Sequence, residues 1–121
     1  MSEADIQAKV RLEAASKGAR LWRNNVGCLR CPDGSYLRYG LANDSSAVND
    51  VFKSSDLIGI KPILITQDMV GSTIGQFIAR EVKRPDWVYK ATGHEKAQKA
   101  FIDFINSMGG DASFCTNTGT I

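Results

Sequence analysis

Gln76-Phe77-Ile78-Ala79-Arg80-Glu81-Val82-Lys83 is the stretch from which the rest of this chain is best read. It reads as a strand, and in a strand residues two apart share a face. Glu81 and Lys83 therefore project together, while Val82 turns to the other side, toward a core. Upstream, Asp56-Leu57-Ile58-Gly59-Ile60-Lys61-Pro62-Ile63-Leu64-Ile65-Thr66 is rich in β-branched residues and reads as a second strand, with Pro62 marking an edge or a bulge. A polar turn with Gly71 and Gly75 separates the two, so a β-hairpin is expected. An antiparallel pairing brings the Asp56 carboxylate beside Glu81.

The flanking segments fill in an architecture. Residues 2–17 read as a helix that Ser2 caps and Asp5 closes by reaching back to the cap. At 100° per residue Ile6, Val10 and Ala14 form one stripe, with Glu3 near its middle, and Gly18 ends the helix. Residues 19–25 read as a strand. Gly27, Pro32, Asp33 and Gly34 then break the chain, and Tyr36–Tyr39 pairs back as a hairpin. Residues 40–54 are a polar loop whose one apolar cluster is Val51-Phe52. Residues 94–108 form an amphipathic helix with Ala97, Phe101, Phe104, Ile105 and Met108 on one face, stopped by Gly109-Gly110. Residues 111–115 make a short last strand. This order predicts an α/β class layered domain, a sheet with helices on its faces.

A chain of 121 residues suits a single domain spanning 1–121. Its 43% apolar and 23% charged residues are an ordinary globular balance. No apolar run approaches the ~18–20 residues of a membrane span, and the polar, acidic start is unlike a secretory signal; a soluble, cytoplasmic protein is expected. The net charge of +2 is compatible with a nucleic-acid ligand without arguing for one. Three cysteines, an odd count, argue for reduced thiols. Cys28 and Cys31 have the spacing of half a zinc site. A closed site needs four ligands, and the other candidates, Cys115 and the sole histidine, His94, lie far away in sequence; two thiols in a hairpin loop is the simpler reading.

Glu81-x-Lys83 alone is most simply a solvated ion pair. With Asp56 beside it, two carboxylates at close range call for a counter-cation, and hard oxygen ligands with open positions suit Mg²⁺ or Mn²⁺. Lys83 then orients the attacking water or stabilises charge building on a phosphate. These are the parts of metal-assisted phosphodiester hydrolysis.

The order of Glu3, Ser54-Ser55-Asp56-Leu57-Ile58-Gly59, Glu81-Val82-Lys83 and Gln98 resembles the PD-(D/E)xK nuclease superfamily, and more narrowly its virus-type replication-repair (VRR-NUC) domains, in their stand-alone phage form. Trp22–Gly27, Phe101 and Gly109-Gly110 also match, so the resemblance runs from Glu3 to about Phe114. It implies a restriction-endonuclease-like αβββαβ core with a mixed central sheet, and a divalent-metal nuclease acting as a homodimer on branched DNA such as Holliday junctions, in DNA repair and of phage or prophage origin. Position by position it implies Asp56 and Glu81 as metal-binding acids, Lys83 as the catalytic lysine, Glu3 as the helix glutamate completing the acidic cluster, and Gln98 as the helix glutamine beside the active site. The Val82 carbonyl is a further candidate metal ligand.

Each of these positions also has a plainer reading. Glu3 can simply favour a helix N-terminus, although a glutamate on an apolar stripe must find a cation when buried. Glu13 is the alternative helix acid. Gln98 falls within the apolar arc and needs hydrogen-bond partners there. Ile102, one turn on, reads as core. Arg23, Arg30, Arg38, Lys53, Arg84 and Lys90 are candidate phosphate contacts, with Ser54 and Ser55 beside Lys53; each taken singly is more simply read as a plain surface charge. Trp87 and Tyr89 either stack on unpaired bases or form a dimer contact. The rival functions are a nuclease for flaps, single-strand ends or RNA, a non-catalytic DNA-binding module of the same fold, and a structural protein.

Overall fold

The computed structural model describes residues 2–121 and is a mixed α/β structure with three α-helices and three two-stranded sheets among those residues. The chain divides into two compact units, Met1–Gly59 and Ile60–Ile121.

The first unit opens with α1, Glu3–Ser16. Its start is set as the sequence indicates: the Ser2 hydroxyl accepts from Asp5 N–H at 3.2 Å, and the Asp5 carboxylate accepts from Ser2 N–H at 3.0 Å. The bond from Ser2 N–H foremost, with one from the Ser2 hydroxyl at 2.8 Å, holds the Asp5 carboxyl below its ordinary value. Gly18 leaves the helix at φ +79°, a conformation that favours glycine. The expected apolar stripe is not sealed, since no α1 residue is buried and Ile6 is 48% exposed.

Strand β1, Arg20–Arg23, pairs with β4, Leu57–Ile60. Gly59 is where the two backbones touch: a Cβ there would stand 1.8 Å from the Arg20 carbonyl oxygen. The hairpin assigns its strands differently from the sequence reading. β2, Gly27–Arg30, pairs antiparallel with β3, Tyr36–Tyr39, so Gly27 begins a strand instead of breaking one. Gly34 at φ +89° and the Cys31 N–H to Ser35 carbonyl bond close the turn. The polar stretch after β3 is not all loop. Ser45 caps a short helix α2, Ser46–Val51, by accepting from Val48 N–H. Six residues are too few for an amphipathic period to show in a sequence.

The strand expected across 56–66 runs only from Leu57 to Ile60. Pro62 lacks the N–H a ladder needs, and Leu64 is 84% exposed. In the second unit β5, Ile78–Val82, pairs in parallel with β6, Asp111–Cys115, with Glu81 opposite Phe114. The hairpin expected between β4 and β5 is therefore replaced by two other pairings, β4 with β1 and β5 with β6. Parallel neighbours need a crossover, and α3, Gly93–Ser107, supplies it. Thr92 and Glu95 cap α3 reciprocally, a box written in the sequence two residues before the helix start expected at 94.

The core of this unit is Ile102, Ile105 and Ala112, with Ile105 fully enclosed. Ala97 and Phe101, expected on the buried face, are exposed. Asn106 locks helix to strand, donating to the Ala112 carbonyl and accepting from its N–H. On β5, Arg80 reaches Asp111 at 3.0 Å and the carbonyl of the same residue at 2.8 Å, and also bonds the Thr120 hydroxyl and carbonyl. Its side chain is 12% exposed, so this is a nearly buried cation whose charge is met within the unit. No helix among the described residues is long and apolar enough to cross a membrane.

Candidate active site

Strand alternation places Glu81 and Lys83 on one face of the β5 region, as the sequence predicts. Val82, expected in a core on the opposite side, is 70% exposed. The Lys83 backbone continues the parallel ladder one step past β5, donating to the Cys115 carbonyl at 2.9 Å. Gln98 on α3 joins the two side chains. Its Oε1 accepts from Lys83 Nζ at 2.8 Å, and its Nε2 donates to the Glu81 carboxylate. The partners that a glutamine on this helix face needs are thus the two residues singled out on the strand. A shallow cavity beside the trio is lined by Ala79, Arg80, Glu81, Gln98, Phe101 and Ile102.

Lys83 has a second set of neighbours that the sequence did not reveal. Its Nζ lies 5.7 Å from the Trp87 ring centroid and 5.9 Å from that of Phe114, within reach of cation–π attraction. Trp87 packs on Phe114 at 4.7 Å between centroids, with Tyr89 edge-on to Trp87 at 6.2 Å. Trp87 is in turn tied down by Glu95, whose carboxylate accepts from its indole Nε1 at 2.7 Å. These contacts make Trp87 part of the frame around Lys83, a role outside both readings offered for it.

Glu95 is buried, and its carboxylate also accepts from the N–H groups of Lys90 and Thr92. The backbone bond from Thr92 foremost, with those from Lys90 and Trp87, holds its carboxyl below the ordinary glutamate value against the opposing effect of burial. A depressed folded-state value means stability present above the ordinary carboxylate range and lost as pH falls through the folded value. We expect the urea midpoint of the wild type to exceed that of Glu95→Gln at neutral pH. The gap should close as pH falls below the ordinary glutamate range; a gap independent of pH would contradict these bonds.

The remaining candidate acids lie in the first unit. Asp56 stands just before β4, exposed, with its carbonyl accepting from Asn24 N–H at 2.8 Å. Asn24 holds the whole Ser54-Ser55-Asp56 turn: its Nδ2 donates to the Ser54 hydroxyl and the Ser55 carbonyl, and its Oδ1 accepts from Leu41 N–H. Ser54 also donates to the Leu41 carbonyl at 2.6 Å. Its hydroxyl and one Ser55 carbonyl are thereby engaged in shaping the turn. Glu3 is exposed and lines a polar cleft with Gln7, Arg11, Arg23 and Asn25. Glu3 is not a buried stripe acid, because the stripe itself is open. Glu13 sits 3.6 Å from Lys17 in an exposed pair.

Among the cations, Arg38 is committed to buried Asn43, which itself bonds the Gly27 and Tyr39 carbonyls. Lys53 bonds Asn49, and Arg84 is a fully solvated partner of Asp86 at 3.9 Å. Cys28, Cys31 and Cys115 are free thiols.

Among the described residues no three His, Cys, Asp or Glu side chains converge as a metal group would require of a closed site. Mg²⁺ does not require one. It is commonly held through one or two carboxylates, with waters and substrate phosphate completing its octahedron. Glu81 offers a hard, acceptor-only oxygen at a partly exposed position, so the donor type fits. His94, the residue least used by the sequence reading, stands one helical turn before Gln98, with its Nε2 3.1 Å from the Gln98 amide nitrogen. The chain matches no protein-family model, no curated protein and no solved structure.

Proposed function

We propose that the protein is a divalent-metal-dependent endodeoxyribonuclease of the restriction-endonuclease-like type, acting on branched DNA as a homodimer. The observation that supports this most directly is the Glu81–Gln98–Lys83 cluster: an acid and a cation on one strand face, bridged by a helix amide. The sequence order Glu3, Ser54-Ser55-Asp56, Glu81-Val82-Lys83, Gln98 supports it independently.

In this reading Glu81 and the Val82 carbonyl would hold Mg²⁺ or Mn²⁺, which when bound would polarise the phosphodiester and favour a nucleophilic water; Asp56 and Glu3 are further acids proposed from the sequence order alone. The residues of the chain do the rest. Lys83 places its ammonium against charge developing on the phosphate, an interaction worth more in the transition state than in the ground state. Trp87 and Phe114 limit where that ammonium can go. Gln98 keeps Lys83 and Glu81 apart by standing between them, so the two do not collapse into a direct ion pair. Arg23, Arg84 and Lys53, with Ser54 and Ser55 beside Lys53, are the proposed phosphate contacts.

The test is cleavage of a four-way junction, a flap, plain duplex and single strands with Mg²⁺, with Mn²⁺ and with chelator. Metal-dependent cutting of the junction above plain duplex is expected. Cutting of every substrate alike removes the branched-DNA preference, and salt-sensitive binding without cutting under either metal replaces the enzyme with a binding module.

A further inference from the structure

The amide of Gln98 has one acceptor oxygen and two N–H donors, and all three are used. Oε1 faces Lys83 Nζ at 2.8 Å, while Nε2 faces both a Glu81 carboxylate oxygen and, at 3.1 Å, Nε2 of His94. The orientation of a glutamine amide is often ambiguous, but here the chemistry of the partners decides it. An ammonium only donates and a carboxylate only accepts, so oxygen must point to Lys83 and nitrogen to Glu81. The second N–H is then aimed at His94, and only an unprotonated ring nitrogen can receive it.

We infer that His94 is a positioning residue for the Glu81–Lys83 pair: its Nε2 lone pair, with the ring proton on Nδ1, accepts the second Gln98 N–H and so steadies the amide in the orientation that Lys83 and Glu81 dictate. The partner of one ring nitrogen sets the tautomer of the other, so the amide and the imidazole specify each other. A donor at position 94 would set donor against donor at Gln98 Nε2 and push the amide off its place between Lys83 and Glu81, whose two charge-assisted bonds keep it from turning over. The helix spacing makes this geometry local: residues 94 and 98 are neighbours on one face of α3. His94 is exposed, so replacing it leaves the core of the unit untouched.

Two measurements test this. The first needs no catalysis: the chain has one histidine, so its imidazole nitrogens are unambiguous in a ¹⁵N spectrum. Above the range in which histidines titrate, the wild type is expected to show the Nδ1–H tautomer, giving way to Nε2–H in Gln98→Leu. An Nε2–H ring in the wild type overturns the inference whatever the protein's activity.

The second rests on the nuclease reading. His94→Lys should lower kcat by about ten- to a hundredfold, the scale of a misplaced reacting group, with KM little changed. His94→Gln, whose Oε1 can stand where Nε2 stood, should restore most of the rate. Equal losses in the two variants, or full rate in His94→Lys, overturn it. If the wild type cleaves nothing, the nuclease reading fails while the tautomer still decides the role of His94.

Discussion

Lys83→Ala should reduce kcat for DNA cleavage by about 10²–10³-fold, the usual cost of removing one group that stabilises transition-state charge, with a much smaller change in substrate binding. The substitution removes the donor to Gln98 and the cation beside Trp87 and Phe114. A partly exposed cation–π contact contributes about 0.5–1 kcal/mol, so the variant should stay folded, and a urea melt beside the kinetics confirms that the lost rate is not lost protein. Lys83→Arg is not expected to rescue fully. A planar guanidinium presents its donors in a fixed fork and cannot occupy the place of a point charge between two rings and an amide oxygen. A wild-type rate in Lys83→Ala would remove the β5 cluster as the source of any activity.

The largest effect on stability is expected from one methyl group on the other unit. Gly59→Ala puts a Cβ 1.8 Å from the Arg20 carbonyl oxygen and 2.8 Å from Leu21 Cα. Both obstacles are backbone in the paired strand, which cannot swing aside as a side chain would. β4 must draw away from β1, and the loss should reach about 3 kcal/mol, the upper part of the range for overpacking. Gly71→Ala is the control. Gly71 has φ +86° but open space around it, so alanine there meets only the left-handed backbone penalty of about 1–2 kcal/mol. If chemical denaturation finds Gly59→Ala no more costly than Gly71→Ala, the close strand approach at Gly59 is wrong.

These two sites differ in how far the sequence announced them. The shared face of Glu81 and Lys83 follows from the two-residue period of a strand, and the capping box of α1 from Ser2 and Asp5, because both are local rules. Gln98 was marked by a polar group in an apolar arc, and it does bond both strand residues. The aromatic frame was not legible. It depends on the register that sets Phe114 opposite Glu81, and no local pattern encodes a pairing across the length of α3. The same holds for the hairpin expected between β4 and β5: two adjacent apolar runs suggested neighbours, yet β4 pairs back with β1 and β5 forward with β6. The strand expected across 56–66 failed beyond Ile60 for a local reason that was visible, Pro62; on α3, Ile102 and Ile105 are buried as read, Ala97 and Phe101 are not, and Glu95, a charged residue, takes a buried place with three donors supplied from its own cap and loop.

The grip of Arg80 on Asp111 and Thr120 has a meaning beyond the charge it satisfies. A parallel pair has no connecting turn to set its alignment, and sliding β5 by one residue along β6 would send every side chain to the opposite side. Glu81 and Lys83 would exchange places with Arg80, Val82 and Arg84. Arg80 works as a ratchet pawl against that slip, since its guanidinium finds Asp111 only at one alignment. The direction in which the acid and the lysine face is thereby decided on the reverse of the strand, by a side chain that takes no part in their chemistry.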